Sequence, residues 1–131
     1  MNAANTANAY KRQQIMTASP EELTLMLYNG AIRFVTESIL AIDHHEIQKA
    51  HSANIRAQNI VREFMVTMDM KQEISHKWLL VDEYILYCLI QGNIKKNKQP
   101  LMEAKKLLIE FRDAWFQAMK QVRIGKAAEN K

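Results

Sequence analysis

From Ser19 onward, apolar residues recur at steps of three and four through four successive stretches. That spacing sets side chains on one face of an α-helix. The first seam is Leu25, Tyr28, Ile32, Val35, Ile39 and Ile42. The second is Ile47, Ala50, Ala57, Val61, Phe64 and Met68, interrupted by polar Asn54. The third is Ile74, Trp78, Val81, Ile85 and Cys88, and the fourth Leu101, Ala104, Leu108, Phe111, Trp115, Ala118 and Val122. Short connections between long helices force neighbours antiparallel, so the pattern predicts an all-α, antiparallel up-down four-helix bundle over residues 19–122. Residues 1–18 read as a mobile N-terminal segment with Tyr10 and Ile15 as its anchors, and 123–131 as a short basic tail.

The helix starts carry their own signals. Ser19 can cap an orphan backbone N–H, Pro20 suits the first helical position, and Glu22 completes an S-x-x-E capping box, opening a helix that runs to about Ile42. Asp43 and Glu46 repeat the arrangement as D-x-x-E and are expected to open the second helix, to about Met68. The third is expected over about Gln72 to Ile94. Pro100 is expected to open the fourth, which ends near Val122.

The seams leave apolar residues over. On a helical wheel Leu23, Leu27, Gly30 and Phe34 form a second stripe on the first helix, with Asn29, Arg33 and Thr36 between the stripes. Ile55 and Val66 lie apart from the seam of the second helix. The third is apolar nearly all round, with Leu79, Leu86 and Ile90 off its seam. On the fourth, Met102, Ile109 and Phe116 recur at seven-residue spacing. Contiguous apolar patches mark interaction sites more often than scattered ones do. The pattern leaves open whether these stripes are broad seams or a surface for the folded-back N-terminal segment, a second copy, or a client helix.

Composition narrows the alternatives. The 131 residues suffice for one core, and three Gly and two Pro leave little material for β-turns. The net charge of +4 is spread along the chain. Its small clusters at Lys95, Lys96 and Lys98, and at Lys105 and Lys106, lack the interleaved Gly and aromatic residues of an RNA-binding surface. No nucleic-acid partner is expected. Eight Met suit irregular cores and adaptable binding surfaces alike. One cysteine, Cys88, precludes an internal disulfide and fits a reducing compartment. The first fifteen residues carry no secretory h-region, and no apolar run reaches the length of a bilayer span, so neither export by a leader nor membrane insertion is expected.

Chemistry finds little purchase. Glu73 and His76 give one E-x-x-H pair, but a di-iron bundle needs a second and two further inward Glu. His44 and His51 share a face without a third ligand. There is no P-loop, dinucleotide fingerprint or nucleophile elbow. The residues thus imply no enzyme, no metal and no cofactor.

The stretch TASPEELTLMLYNGAIRF, Thr17 to Phe34, closely resembles the hallmark T-x-S-P-x-x-L-x-x-M-L-Y-[DN]-G-A-I-x-F of the flagellar secretion chaperone FliS family. RAQNIV (Arg56 to Val61), DEYI followed by GN (Asp82 to Asn93), and EFRDAW (Glu110 to Trp115) follow in order, and Tyr10 stands where that family carries a tyrosine. Asp82 replaces a tyrosine common in the third-helix motif, and MDMKQEIS lacks a Gly pair often seen there. The resemblance implies a cytoplasmic helical bundle that binds the disordered C-terminal segment of flagellin, prevents its premature polymerisation and aids delivery to the type III export gate. It also implies that the N-terminal segment, through Tyr10 and Ile15, covers part of the client groove. The wheel then nominates Leu23, Leu27, Phe34, Ile55, Val66, Leu79, Leu86, Ile109 and Phe116 as client contacts. The rival expectation is a self-associating structural bundle whose stripes bury one another.

Overall fold

A computed structural model describes residues 3–71 and 73–129, apart from the side chain of Ile74. Gln72, expected near the start of the third helix, and the seam side chain of Ile74 therefore lie outside the described residues. All elements among the described residues are helices: α1 (Ala3–Thr17), α2 (Pro20–Asp43), α3 (Ile47–Thr67), α4 (Glu73–Lys95) and α5 (Lys98–Glu129). The segment expected to be mobile thus forms a helix, α1, with none of its side chains buried.

Pro20 explains why α1 and α2 are separate. A residue preceding proline is driven to extended geometry, and Ser19 adopts φ −68°, ψ 162°. Its Oγ accepts from the Glu22 N–H at 3.2 Å. The Glu22 carboxylate turns instead to Arg123, 3.4 Å away on α5.

The expected cap at Asp43 does not form. Asp43 is the last residue of α2, and its carboxylate pairs with Lys98 Nζ at 2.6 Å. Glu46 holds the N-cap position of α3 without a side-chain capping bond. The turn is closed by backbone: His45 takes φ 58°, the Glu46 N–H reaches Ala41 O at 2.8 Å, and the His45 N–H reaches Ile42 O at 3.1 Å. This is a Schellman closure, which consumes the orphan carbonyls of α2 before α3 begins. The α4–α5 turn repeats it, with Lys96 at φ 49° and the Asn97 N–H on Gly92 O at 3.0 Å. Asn97 Oδ1 then accepts from the Gln99 N–H at 3.0 Å, so α5 starts at Lys98, two residues before Pro100. It also continues seven residues beyond the expected end at Val122, through most of the basic tail.

α2 packs against α3 and α5, and α4 packs against the same two helices, closing a cycle. Paired contacts fix the levels: Tyr28 with Phe64, Ser38 with Ala50, Asn54 with Leu89, Trp78 with Phe111, Asn29 with Arg112, Asp43 with Lys98. The core within the cycle is Tyr28, Ala31, Val35, Ala57, Val61, Phe64, Ile85, Cys88, Leu89, Leu101, Ala104 and Leu108. Asn54, the polar interruption of the second seam, is fully buried. Its Nδ2 donates to Leu89 O at 3.1 Å, and its Oδ1 accepts from Gln58 Nε2 at 2.8 Å. Gln58 Oε1 in turn accepts from Arg62 at 3.1 Å. A buried amide so satisfied avoids the desolvation penalty of an unpaired polar group.

By length and composition α2 is apolar enough to cross a membrane, which the sequence reading did not anticipate. Its apolarity is used instead on two flanks, against α3 and α5.

Candidate functional site

The two ends of the helix cycle differ. At one end the α2–α3 and α4–α5 turns sit side by side, tied by Asp43 and Lys98. Gly92 permits the closeness there, because a Cβ on it would meet Leu101 Cδ2 at 2.6 Å and Asn97 O at 3.1 Å. At the other end two cavities open. One, of about 430 Å³, lies between the start of α2 and the last turns of α5, lined by Ser19, Glu22, Trp115, Met119, Val122 and Arg123. The other, of about 450 Å³, lies among α2, α3, α4 and α5, with walls from Leu27, Tyr28, Phe64, Met68, Trp78 and Trp115. Trp115 lines both, held by its Nε1–H on Glu21 O at 3.0 Å.

Asp82 lines the larger cavity and is only 6% exposed. Burial pushes its carboxyl up to about 7, because the low-dielectric surroundings penalise the charged form. The Tyr28 phenol is raised too, by burial first and by the neighbouring Asp82 second. On the α4–α5 side Cys88 is buried and its thiol raised, chiefly by burial, as suits an inert cysteine. Among the described residues no three His, Cys, Asp or Glu side chains assemble into a metal-binding group. His51 Nδ1 lies 2.9 Å from Asn93 Nδ2 rather than beside another His.

The residues nominated by the wheel divide. Leu27, Phe34 and Leu86 are partly buried against the core, and Leu27 also lines the larger cavity. The reason is the cycle: each helix has two neighbours, so its buried arc is wider than one seam. Phe34 is further covered by Arg33 and Arg56, whose guanidinium carbons lie 4.9 and 5.6 Å from its ring centroid. Leu23, Ile55, Leu79 and Ile109 are half-buried. Val66 and Phe116 stand open, 80% and 49% exposed. Tyr10 and Ile15 are exposed on α1, away from any burial. Conversely, the seam residues Ile47 and Val122 are exposed.

The wheel passed over one stripe. Leu80, Tyr84, Tyr87 and Ile94 are all exposed on α4, at steps of four, three and seven that place them on one face. A helix apolar all round hides such a stripe. The signal present was the pair of tyrosines, whose hydroxyls suit a partly wet surface.

These features define an all-helical protein with open apolar faces and cavities at one end of the cycle. The family model described as "Flagellar protein FliS" matches residues 3–122. The flagellar secretion chaperone FliS of Bacillus subtilis (strain 168) is 36% identical over 119 residues, 91% of this chain and 90% of that protein. Its counterpart in Escherichia coli (strain K12) is 24% identical over 126 residues, 91% of this chain and 93% of that protein. The chain belongs to the FliS family of flagellar secretion chaperones.

Proposed function

We propose that this protein is a cytoplasmic export chaperone that binds the disordered C-terminal segment of flagellin, prevents its premature polymerisation and aids its delivery to the flagellar type III export apparatus. Family membership carries the reading, and the open apolar residues on α3, α4 and α5 support it. In this reading the cycle of α2 to α5 is an antiparallel up-down four-helix bundle. The paired contacts favour it, since residue numbers fall along α2 as they rise along α3 and α5.

The mechanism is helix-in-groove recognition. A client segment lays its apolar positions over Val66, Phe116 and the half-buried Leu23, Ile55, Leu79 and Ile109, occupying the face it would otherwise use to polymerise. Ordering of the client on binding offsets part of the contact energy, so an extended surface still releases its cargo. Exposed Tyr10 and Ile15, tethered through the Ala18–Ser19 joint, act as a weak competitor at high effective concentration. No step involves bond chemistry.

Calorimetric titration with a flagellin C-terminal peptide tests the reading. Stoichiometric binding with a negative heat-capacity change is expected. Absence of binding at micromolar concentrations, together with dimerisation in sedimentation runs, would replace it with a self-associating bundle.

A further inference from the structure

The larger cavity combines features that a purely apolar groove does not need. Its walls are aromatic and aliphatic, yet Asp82 on α4 lines it. Asp82 as a residue is 6% exposed, its carboxylate oxygens keep contact with solvent through the cavity, and among the described residues no donor or cation meets them. An acidic group placed like this is costly unless something completes it. The titratable groups that face it are Tyr28 from α2 and Asp69 from the α3–α4 loop. From α5 the lining is Ala114, Trp115 and Ala118, and no described Lys, Arg or His lines the cavity at all. The cavity thus presents carboxyl groups without an internal cation, in a protein whose net charge is +4, and burial keeps Asp82 protonated until the pH passes about 7.

We infer that this cavity receives an arginine side chain from the bound client segment, its guanidinium on the Asp82 carboxylate and its aliphatic stem along the aromatic walls. The chemistry favours arginine over a compact ammonium. A planar guanidinium can present two parallel N–H donors to a carboxylate and stack on indole or phenyl faces. Trp78 and Trp115 supply such faces here. Desolvated cation–π contacts and charge-assisted hydrogen bonds add selectivity that apolar packing lacks. The occupant's identity as part of a client rests on the chaperone reading; the presence of a guanidinium site does not.

A probe independent of any client separates the two. The chain has two Trp, Trp78 and Trp115, and both line the cavity, so intrinsic fluorescence of the full-length protein reports occupancy. n-Butylguanidinium should produce a saturable change, whereas 1-pentanol, a neutral chain of similar length, should bind about tenfold more weakly. With Asp82 titrating near 7, guanidinium affinity should rise about tenfold from pH 6 to pH 8 as the carboxylate becomes ionised. Asp82→Asn should abolish both the preference for the cation and the pH dependence while leaving the circular dichroism unchanged. Equal binding of alcohol and guanidinium, persistence of the preference in Asp82→Asn, or no saturable signal would overturn the site. If Asp82→Asn fails to fold, Asp82→Ser replaces it, and a cation preference or pH dependence that persists there would overturn the site. A flagellin C-terminal peptide that displaces the probe supports the client assignment. A peptide that binds without displacing it overturns that assignment, and one that does not bind at all overturns the chaperone reading while the guanidinium result stands.

Discussion

The turn end and the cavity end of this protein are built from the same helices and the same kind of seam, yet one is filled and the other is not. At the turn end the facing residues are small: Ala41, Ala50, Ala53 and Ala104, with Ser38 donating to Ala50 O at 2.8 Å. Small side chains let backbones approach, and Leu101 fills what remains beside Gly92. At the cavity end the seam turns aromatic, with Tyr28, Phe64, Trp78, Phe111 and Trp115. There the cavities open, and the larger is walled by four of these rings, Tyr28, Phe64, Trp78 and Trp115. Periodicity alone specifies the helices; side-chain size along the seam decides where the molecule is closed and where it can accept a guest.

Core truncation makes the sharpest test of that contrast. Leu101→Ala at the turn end should cost about 3 kcal/mol, because a fully buried leucine leaves a cavity that its surroundings cannot refill. Phe116→Ala, half exposed at the other end, should cost less than about 1 kcal/mol in urea unfolding while weakening client binding. Comparable losses from both would erase the distinction between the ends.

Gly92→Ala probes the close approach directly. Alanine normally favours a helix by about 1 kcal/mol over glycine, but here the added methyl must displace buried Leu101. The expected outcome is a net loss of about 2 kcal/mol, overpacking outweighing propensity. A stabilised Gly92→Ala would show that the turn end has slack.

Asp82 gives an effect with a distinctive pH profile. Its carboxyl is raised from 3.8 to about 7 by burial. Between those values the folded chain holds a proton that the unfolded chain has lost, so stability falls as pH rises from about 4 to 7 and is level above. Asp82→Asn should therefore gain stability relative to the parent as pH rises from about 4 to 8, with the advantage vanishing near pH 4. Thermal melts across that range check it, and a constant difference would mean that burial of the charge is not the cause.

Much of this was legible in the residues. Ser19 and Pro20 announce the start of α2 because capping and pre-proline geometry are local. The all-helical class follows from seams that repeat every three or four positions. Asp43 misled because backbone closed the turn: nothing in HHE states that His45 will take a left-handed conformation. Leu27, Phe34 and Leu86 lie off the seam on the wheel yet pack against the core, because the wheel treats a helix as having one neighbour and in a cycle each has two. α4, apolar on every side, offered no contrast from which to pick out Leu80, Tyr84, Tyr87 and Ile94. Asp82 was visible as a departure from the family motif, but its burial depends on where Tyr28, Trp78 and Trp115 meet.

The run from Arg62 through Gln58 and Asn54 to Leu89 O has a mechanical consequence. Three side chains one turn apart on α3 form a toothed rack whose last tooth engages a single carbonyl of α4. Sliding α3 along α4 would pull that tooth off Leu89 O and cost its hydrogen bond until the next carbonyl, about one turn or 5.4 Å away, came into register. The rack thus indexes α3 against α4 at one register, as a detent holds a shaft.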